Sequence, residues 1–318
     1  MKSALLYTLV PAVVAAAGNP KRGLCFVPDS DFPEDNQVWT RAGSDLTWYY
    51  NYGDLPSPAF ADKTQEEFEF IPMMWGVDMS NLGSTKFLDN VNDLIKDGRN
   101  ITRVMGFNEP DTTHEVGGSN IPPANAATAW VANFVPLQEK GIQVGLPAMT
   151  GAPSGLVWLQ EFLGNCSELI STSNDQKNCT FDFLPVHWYD NFEGLASHIG
   201  ERLSFWPNTS IWVTEYAYAH RDLGETTAFF NGTLSWFDDY TSLGGYSYFG
   251  AFRSAKSNVG PNAVFLNNAG QLTDMGSWYL GFGATGVNPQ SGAPVVGKMP
   301  SVAAAVVGVV GALFLSAF

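Results

Sequence analysis

Eight short apolar or aromatic runs recur along the chain at roughly the interval of a βα unit, with amphipathic segments between them. This alternation limits the fold more than any other feature. The runs are 23–27, 47–50, 68–75, 102–107, 143–147, 181–188, 211–216 and 245–249. Between the third and fourth, Phe87, Val91, Leu94 and Ile95 fall at helical spacing and are closed by Asp97-Gly98. Between the fourth and fifth, Pro122-Pro123 opens a helix that carries Ala126, Trp130, Phe134 and Leu137 and ends at Lys140-Gly141. Proline at the start and glycine past the end is the asymmetry helices prefer. Strands that alternate with helices form a parallel sheet, and eight of them can close into a single (β/α)8 TIM barrel, here over residues 18–290. An open doubly wound sheet is the competing α/β fold. It lacks support, because no G-x-G-x-x-G follows the first run and no Walker motif occurs.

The two ends read as processing signals. Residues 1–17 combine a short basic start at Met1-Lys2, an apolar run from Ala4 to Val14 and the small residues Ala15-Ala16-Ala17, the order of a secretory signal peptide. Residues 291–318 begin with Ser291-Gly292-Ala293, continue through a short spacer and finish in the uncharged run Ser301 to Phe318. That is the order of a signal for a glycosylphosphatidylinositol anchor, in which the apolar tail is exchanged for lipid. A retained membrane span is the competing reading, but no Lys or Arg follows the run to hold it in the cytosol. The expectation is a secreted monomer at the cell surface or wall, touching the membrane only through lipid.

Composition agrees with that compartment. The 16 Lys and Arg against 31 Asp and Glu leave a net charge of −15, which argues against nucleic acid or anionic lipid as partner. Charged residues make up only 15% of the chain and aromatic ones 14%, so attached sugar is a plausible source of solubility, and Asn100, Asn165, Asn178, Asn208 and Asn231 lie in glycosylation sequons. Of three cysteines, Cys166 and Cys179 enclose a polar loop and are the simplest pair, leaving Cys25 reduced in an apolar run. The four histidines are too scattered to predict a zinc site, and no cofactor is expected.

The chemistry is read from two acids. The fourth run ends in Gly106-Phe107-Asn108-Glu109-Pro110 and the seventh in Trp212-Val213-Thr214-Glu215-Tyr216. Polar residues at the C-terminal ends of barrel strands converge on one mouth. Paired carboxyl groups in a neutral aromatic cleft suit glycoside hydrolysis, where one holds a proton for the leaving oxygen and the other meets an oxocarbenium-like centre. Asp111 and Glu115 read instead as exposed loop residues. Trp48, Tyr50, Trp75, Tyr189 and Phe249 lie at or near run ends where sugar faces could stack, and His187 could bond a sugar hydroxyl or the nucleophile. For each of these, core packing is the alternative.

The ordered set Arg22-Gly23-Leu24, Trp48-Tyr49-Tyr50-Asn51, Phe70 to Gly76, Gly106 to Asp111, His187-Trp188-Tyr189 and Trp212 to Ala217 resembles the fungal glycosyl hydrolase catalytic-core proteins of glycoside hydrolase family 128. The resemblance implies a clan A barrel, a retaining mechanism and endo-β-1,3-glucanase activity on fungal or algal glucan, and the expected substrate is cell-wall glucan. It makes Glu109 the acid/base, Asn108 its neighbour on the sugar 2-hydroxyl, and Glu215 the nucleophile. Tyr248-Phe249-Gly250 stands where clan members often carry Trp under the scissile sugar. A non-catalytic glucan-binding wall protein and a β-1,3-glucan transglycosylase are the competing functions.

Overall fold

The computed structural model describes residues 18–292, so the signal-peptide reading of 1–17 and nearly all of the anchor segment lie outside the described residues. Every run becomes a strand: β1 Gly23–Cys25, β2 Trp48–Tyr50, β3 Glu69–Phe70, β4 Arg103–Met105, β5 Gln143–Gly145, β6 Phe183–Trp188, β7 Ser210–Tyr216 and β8 Leu243–Tyr248. All pairings between these strands are parallel, in two sheets ordered β1-β2-β3 and β4-β5-β6-β7-β8. Single parallel bridges stand at both seams, Met73 with Met105 and Arg22 with Tyr246. The third run yields only two strand residues because Pro72 has no amide to donate; its carbonyl still accepts from Met105 N at 2.8 Å, and pairing resumes at Met74.

Two features depart from regular alternation. The segments after β1 and β2 form only the 3₁₀ turns Pro33–Gln37 and Pro58–Phe60, so no α-helix directly follows either strand in the chain. The later helices are α1 Lys86–Lys96, α2 Pro123–Asn133, α3 Val135–Gln138, α4 Ser154–Ile170, α5 Phe192–Phe205, α6 Leu223–Asp239 and α7 Asp274–Tyr279. The single helix expected from Pro122 to Lys140 is split into α2 and α3, because Pro136 cannot donate within a continuous helix. The eight-helix layer of a regular (β/α)8 barrel is therefore not reproduced.

The core is aromatic. Trp130 of α2 stacks on Phe134 at 4.2 Å and meets Phe107 and Phe162 edge-on, fastening α2 and α4 to β4. The Cys166–Cys179 bridge ties α4 to the loop before β6, and Cys25 is free and buried, both as expected. Among the described residues no helix is long and apolar enough to cross a membrane. Asn100, Asn178, Asn208 and Asn231 are exposed, whereas the Asn165 amide is half-buried and bonded to Glu161 O.

Candidate active site

Parallel strands bring their C-terminal ends to one edge, and that edge assembles the site. Glu109 follows β4, His187 lies near the end of β6 with Tyr189 just past it, Glu215 lies near the end of β7, and Tyr52 follows β2. Glu109 and Tyr52 both adopt left-handed backbone, with φ of 42° and 61°, a conformation that costs a side chain of this size on the order of 1–3 kcal/mol. For Glu109 it is held by its own N–H donating to Ala148 O at 2.7 Å and by its carbonyl accepting from Thr112 N. The turn lifts the carboxyl off the strand and aims it at β6.

His187 Nδ1 lies 2.9 Å from Glu109 Oε1 and 3.5 Å from Glu215 Oε2, and the three side chains offer polar atoms within 4.8 Å of one another. His187 is fully buried, and its Nε2 has no protein partner. Glu215 accepts from Tyr52 at 2.7 Å on one oxygen and from Tyr189 at 2.5 Å on the other, with the Tyr50 hydroxyl 3.4 Å away. Burial keeps all three tyrosines far above the ordinary phenol range, with the Glu215 charge adding to it, so they remain donors.

The two acids sit in different fields. Burial pushes the Glu109 carboxyl above its ordinary range and the charges of Glu215 and Asp111 add to the rise, although the His187 contact opposes it. Burial by itself would lower His187, but the facing carboxylates of Glu215 and Glu109 outweigh it and raise the imidazole. Glu109 thus favours holding a proton while Glu215 is surrounded by donors to a carboxylate. Glu109, His187 and Glu215 are also close enough to ligate one cation.

The remaining expected residues divide. Asn108 is buried beside Glu109, its amide N–H donating to Gly117 O and its Oδ1 without a protein partner. Trp75 is partly exposed and stacks on His114 at 5.7 Å. Phe249 packs edge-on to Tyr189 at 5.8 Å. Trp48 corrects the expectation: it opens β2 rather than ending it, is 1% exposed, packs on Trp212 at 5.0 Å, and donates Nε1–H to Lys21 O ahead of β1. Its ring crosses Gly23 so closely that any Cβ there would overlap it, and it belongs to the core at the opposite edge from the acids. Tyr50 is also fully buried and reaches Glu215 rather than solvent. Tyr52 was missed. Its signal was its place two residues past the aromatic run of β2, on the side of the acids.

Two buried carboxyl groups side by side at the C-terminal ends of parallel strands are the arrangement that glycosyl hydrolases use. Residues 23–279 match the family described as glycosyl hydrolase catalytic core, and the chain belongs to that family. It is similar to alkali-sensitive linkage protein 1 of Schizosaccharomyces pombe, 28% identical over 270 residues, covering 82% of this chain and 44% of that protein. The chain therefore spans less than half the length of that relative. Among solved structures it is similar to a family 128 subgroup III curdlan-specific exo-β-1,3-glucanase of Blastomyces gilchristii in complex with glucose, at 25% identity and TM-score 0.61, covering 83% of this chain and 98% of the other. It is similar in fold to a subgroup II endo-β-1,3-glucanase of Pseudomonas viridiflava, at 23% and 0.64, covering 85% and 100%. A subgroup VII oligosaccharide-binding protein of Trichoderma gamsii shares the fold at 20% and 0.59, covering 83% and 94%.

Proposed function

We propose that the chain is a retaining endo-β-1,3-glucanase acting on cell-wall glucan, with Glu109 as acid/base and Glu215 as nucleophile. The observation that carries this reading is the short separation of two carboxyl groups in unlike surroundings. Oxygens within 4.8 Å leave no room for a water between acid and base, which inverting enzymes need at about 6.5–9.5 Å, and fit the ~5–5.5 Å of retaining ones. In this mechanism Glu215 attacks the anomeric carbon as Glu109 passes its proton to the glycosidic oxygen, breaking that bond and leaving a glycosyl ester. Glu109, now a base, takes a proton from water, whose oxygen displaces Glu215. Tyr52 and Tyr189 hold the nucleophile, and the vacant Asn108 Oδ1 supplies an acceptor for a sugar hydroxyl.

The same reading takes the two sheets as arcs of one closed barrel, supported by the bridges at both seams. It takes the protein as secreted and lipid-anchored, supported by the terminal sequence patterns and the disulfide. An alternative is glucan binding without turnover, favoured by the oligosaccharide-binding neighbour.

Product analysis on laminari-oligosaccharides, with cellulose, mannan and chitin oligomers in parallel, tests the proposal. Internal cleavage of the β-1,3 series with the β anomer first is expected. Glucose released one unit at a time makes it an exo-enzyme, longer products make it a transglycosylase, and binding without products makes it a binding protein.

A further inference from the structure

Asp111 reads in the sequence as an exposed loop residue. The structure gives it a built position. Its carboxylate accepts from Thr150 N at 3.1 Å and from Thr150 Oγ1 at 2.6 Å, across the gap between the loops after β4 and β5. These bonds continue a ladder in which Ala148 N donates to Phe107 O and Glu109 N donates to Ala148 O. Past Glu109 the left-handed turn carries the backbone out of pairing register, and the Asp111 side chain takes the place of the next carbonyl. The acid is thus clamped to the segment 148–150 on both sides of its strained residue.

A cation stands behind this clamp. Arg202 of α5 is 1% exposed, and its Nη2 has no protein partner although Nη1 bonds Glu201. Gly155 separates the two groups: a Cβ there would lie 3.2 Å from Asp111 Oδ2 and 3.5 Å from Arg202 Nη2. Glycine at 155 keeps that space open between carboxylate and guanidinium.

We propose that Asp111 is a positioning residue for Glu109, fixing the turn that carries it through Thr150 and imposing on it a charge that Arg202 offsets from behind. The proposal rests on Glu109 being the catalytic acid. The groups acting on Glu109 are His187 and Tyr189 of the β6 end, Glu215 of β7 and Asp111 of its own loop. Of these, Asp111 can be neutralised without touching the atoms that react. Its negative charge favours the protonated acid, so its removal should release the Glu109 proton at lower pH; loss of the Arg202 charge should have the opposite effect.

The experiment follows the carboxyl carbon of Glu109 by 13C NMR titration in the full ectodomain, assigned by comparison with Glu109→Gln, alongside the pH profile of kcat/KM. Asp111→Asn should lower the titration midpoint by about half a unit or more, and Arg202→Gln should raise it. Thr150→Val should reduce kcat several-fold with the midpoint unmoved. Unchanged midpoints, or shifts of the same sign in both charge variants, overturn the proposal. Should Arg202→Gln not fold, Asp111→Asn decides alone. An alkaline limb that fails to follow the titrated midpoint overturns the reading of Glu109 as the acid, and with it any catalytic service by Asp111, whereas the midpoints themselves report the Asp111 and Arg202 charges independently of turnover.

Discussion

His187 Nδ1 lies 2.9 Å from Glu109 Oε1, a contact between a fully buried ring and a carboxyl that is itself only 12% exposed. A proton placed between them is shielded from solvent, and burial of the acid together with the Glu215 charge retains it.

The pH profile of kcat/KM should fall on an alkaline limb that follows loss of the proton from Glu109, displaced above the ordinary glutamate range because burial raises that carboxyl. A profile falling across ordinary carboxylate titration, with no displaced alkaline limb, would remove Glu109 from the acid role.

Glu215→Ala should abolish turnover, and azide should restore it as a glycosyl azide of inverted configuration, since a small anion fits where the carboxylate stood. Glu109→Ala should cost roughly 10²–10⁴-fold on unactivated glucan and much less on aryl glycosides with good leaving groups. Full activity in either variant refutes the assignment.

Tyr52→Phe and Tyr189→Phe each delete one hydrogen bond to Glu215 while keeping the ring. A bond to a charged group contributes about 1.5–3 kcal/mol, so activity should fall by roughly 10–100-fold with the fold retained. Stopped assays on variants with unchanged near-ultraviolet circular dichroism check this.

Trp48 and Trp75, both stacking candidates by sequence, should behave differently. Trp48→Ala opens a cavity in the core and should cost about 3–5 kcal/mol in stability. Trp75→Ala should leave stability nearly intact and weaken oligosaccharide binding by about 0.5–1.5 kcal/mol. Denaturant titration and calorimetry separate the two effects.

His198, buried against Trp188 and beside Arg202, is held down at about 4 chiefly by burial, with the Arg202 charge adding. A depressed folded value means the unfolded chain binds the proton first as pH falls. Stability is therefore full above the ordinary histidine range near 6.5 and declines as pH drops from there to about 4, by on the order of 2–3 kcal/mol. His198→Phe should flatten urea-melting midpoints across that window; an equally steep decline would assign the acid sensitivity elsewhere.

The sequence by itself determined the strands and the two acids. Apolar runs of strand length bounded by Gly, Pro and polar residues have few other solutions, and each of the eight became a strand, because burial on both faces of a parallel sheet leaves a continuous apolar signature. Glu109 and Glu215 were legible for the same reason, being charges at the ends of such runs. Tertiary structure decided which neighbours serve them. Whether an aromatic side chain faces mouth or floor depends on strand boundaries of one residue, so Trp48 went to the floor while Tyr52, past the strand on a left-handed turn, reached Glu215. Asp111 was indistinguishable from any loop acid until folding brought Thr150 from the next strand's loop against it. Contacts between segments distant in the chain leave no local periodicity to read, and it is these contacts that set the charge and orientation of the two carboxyl groups.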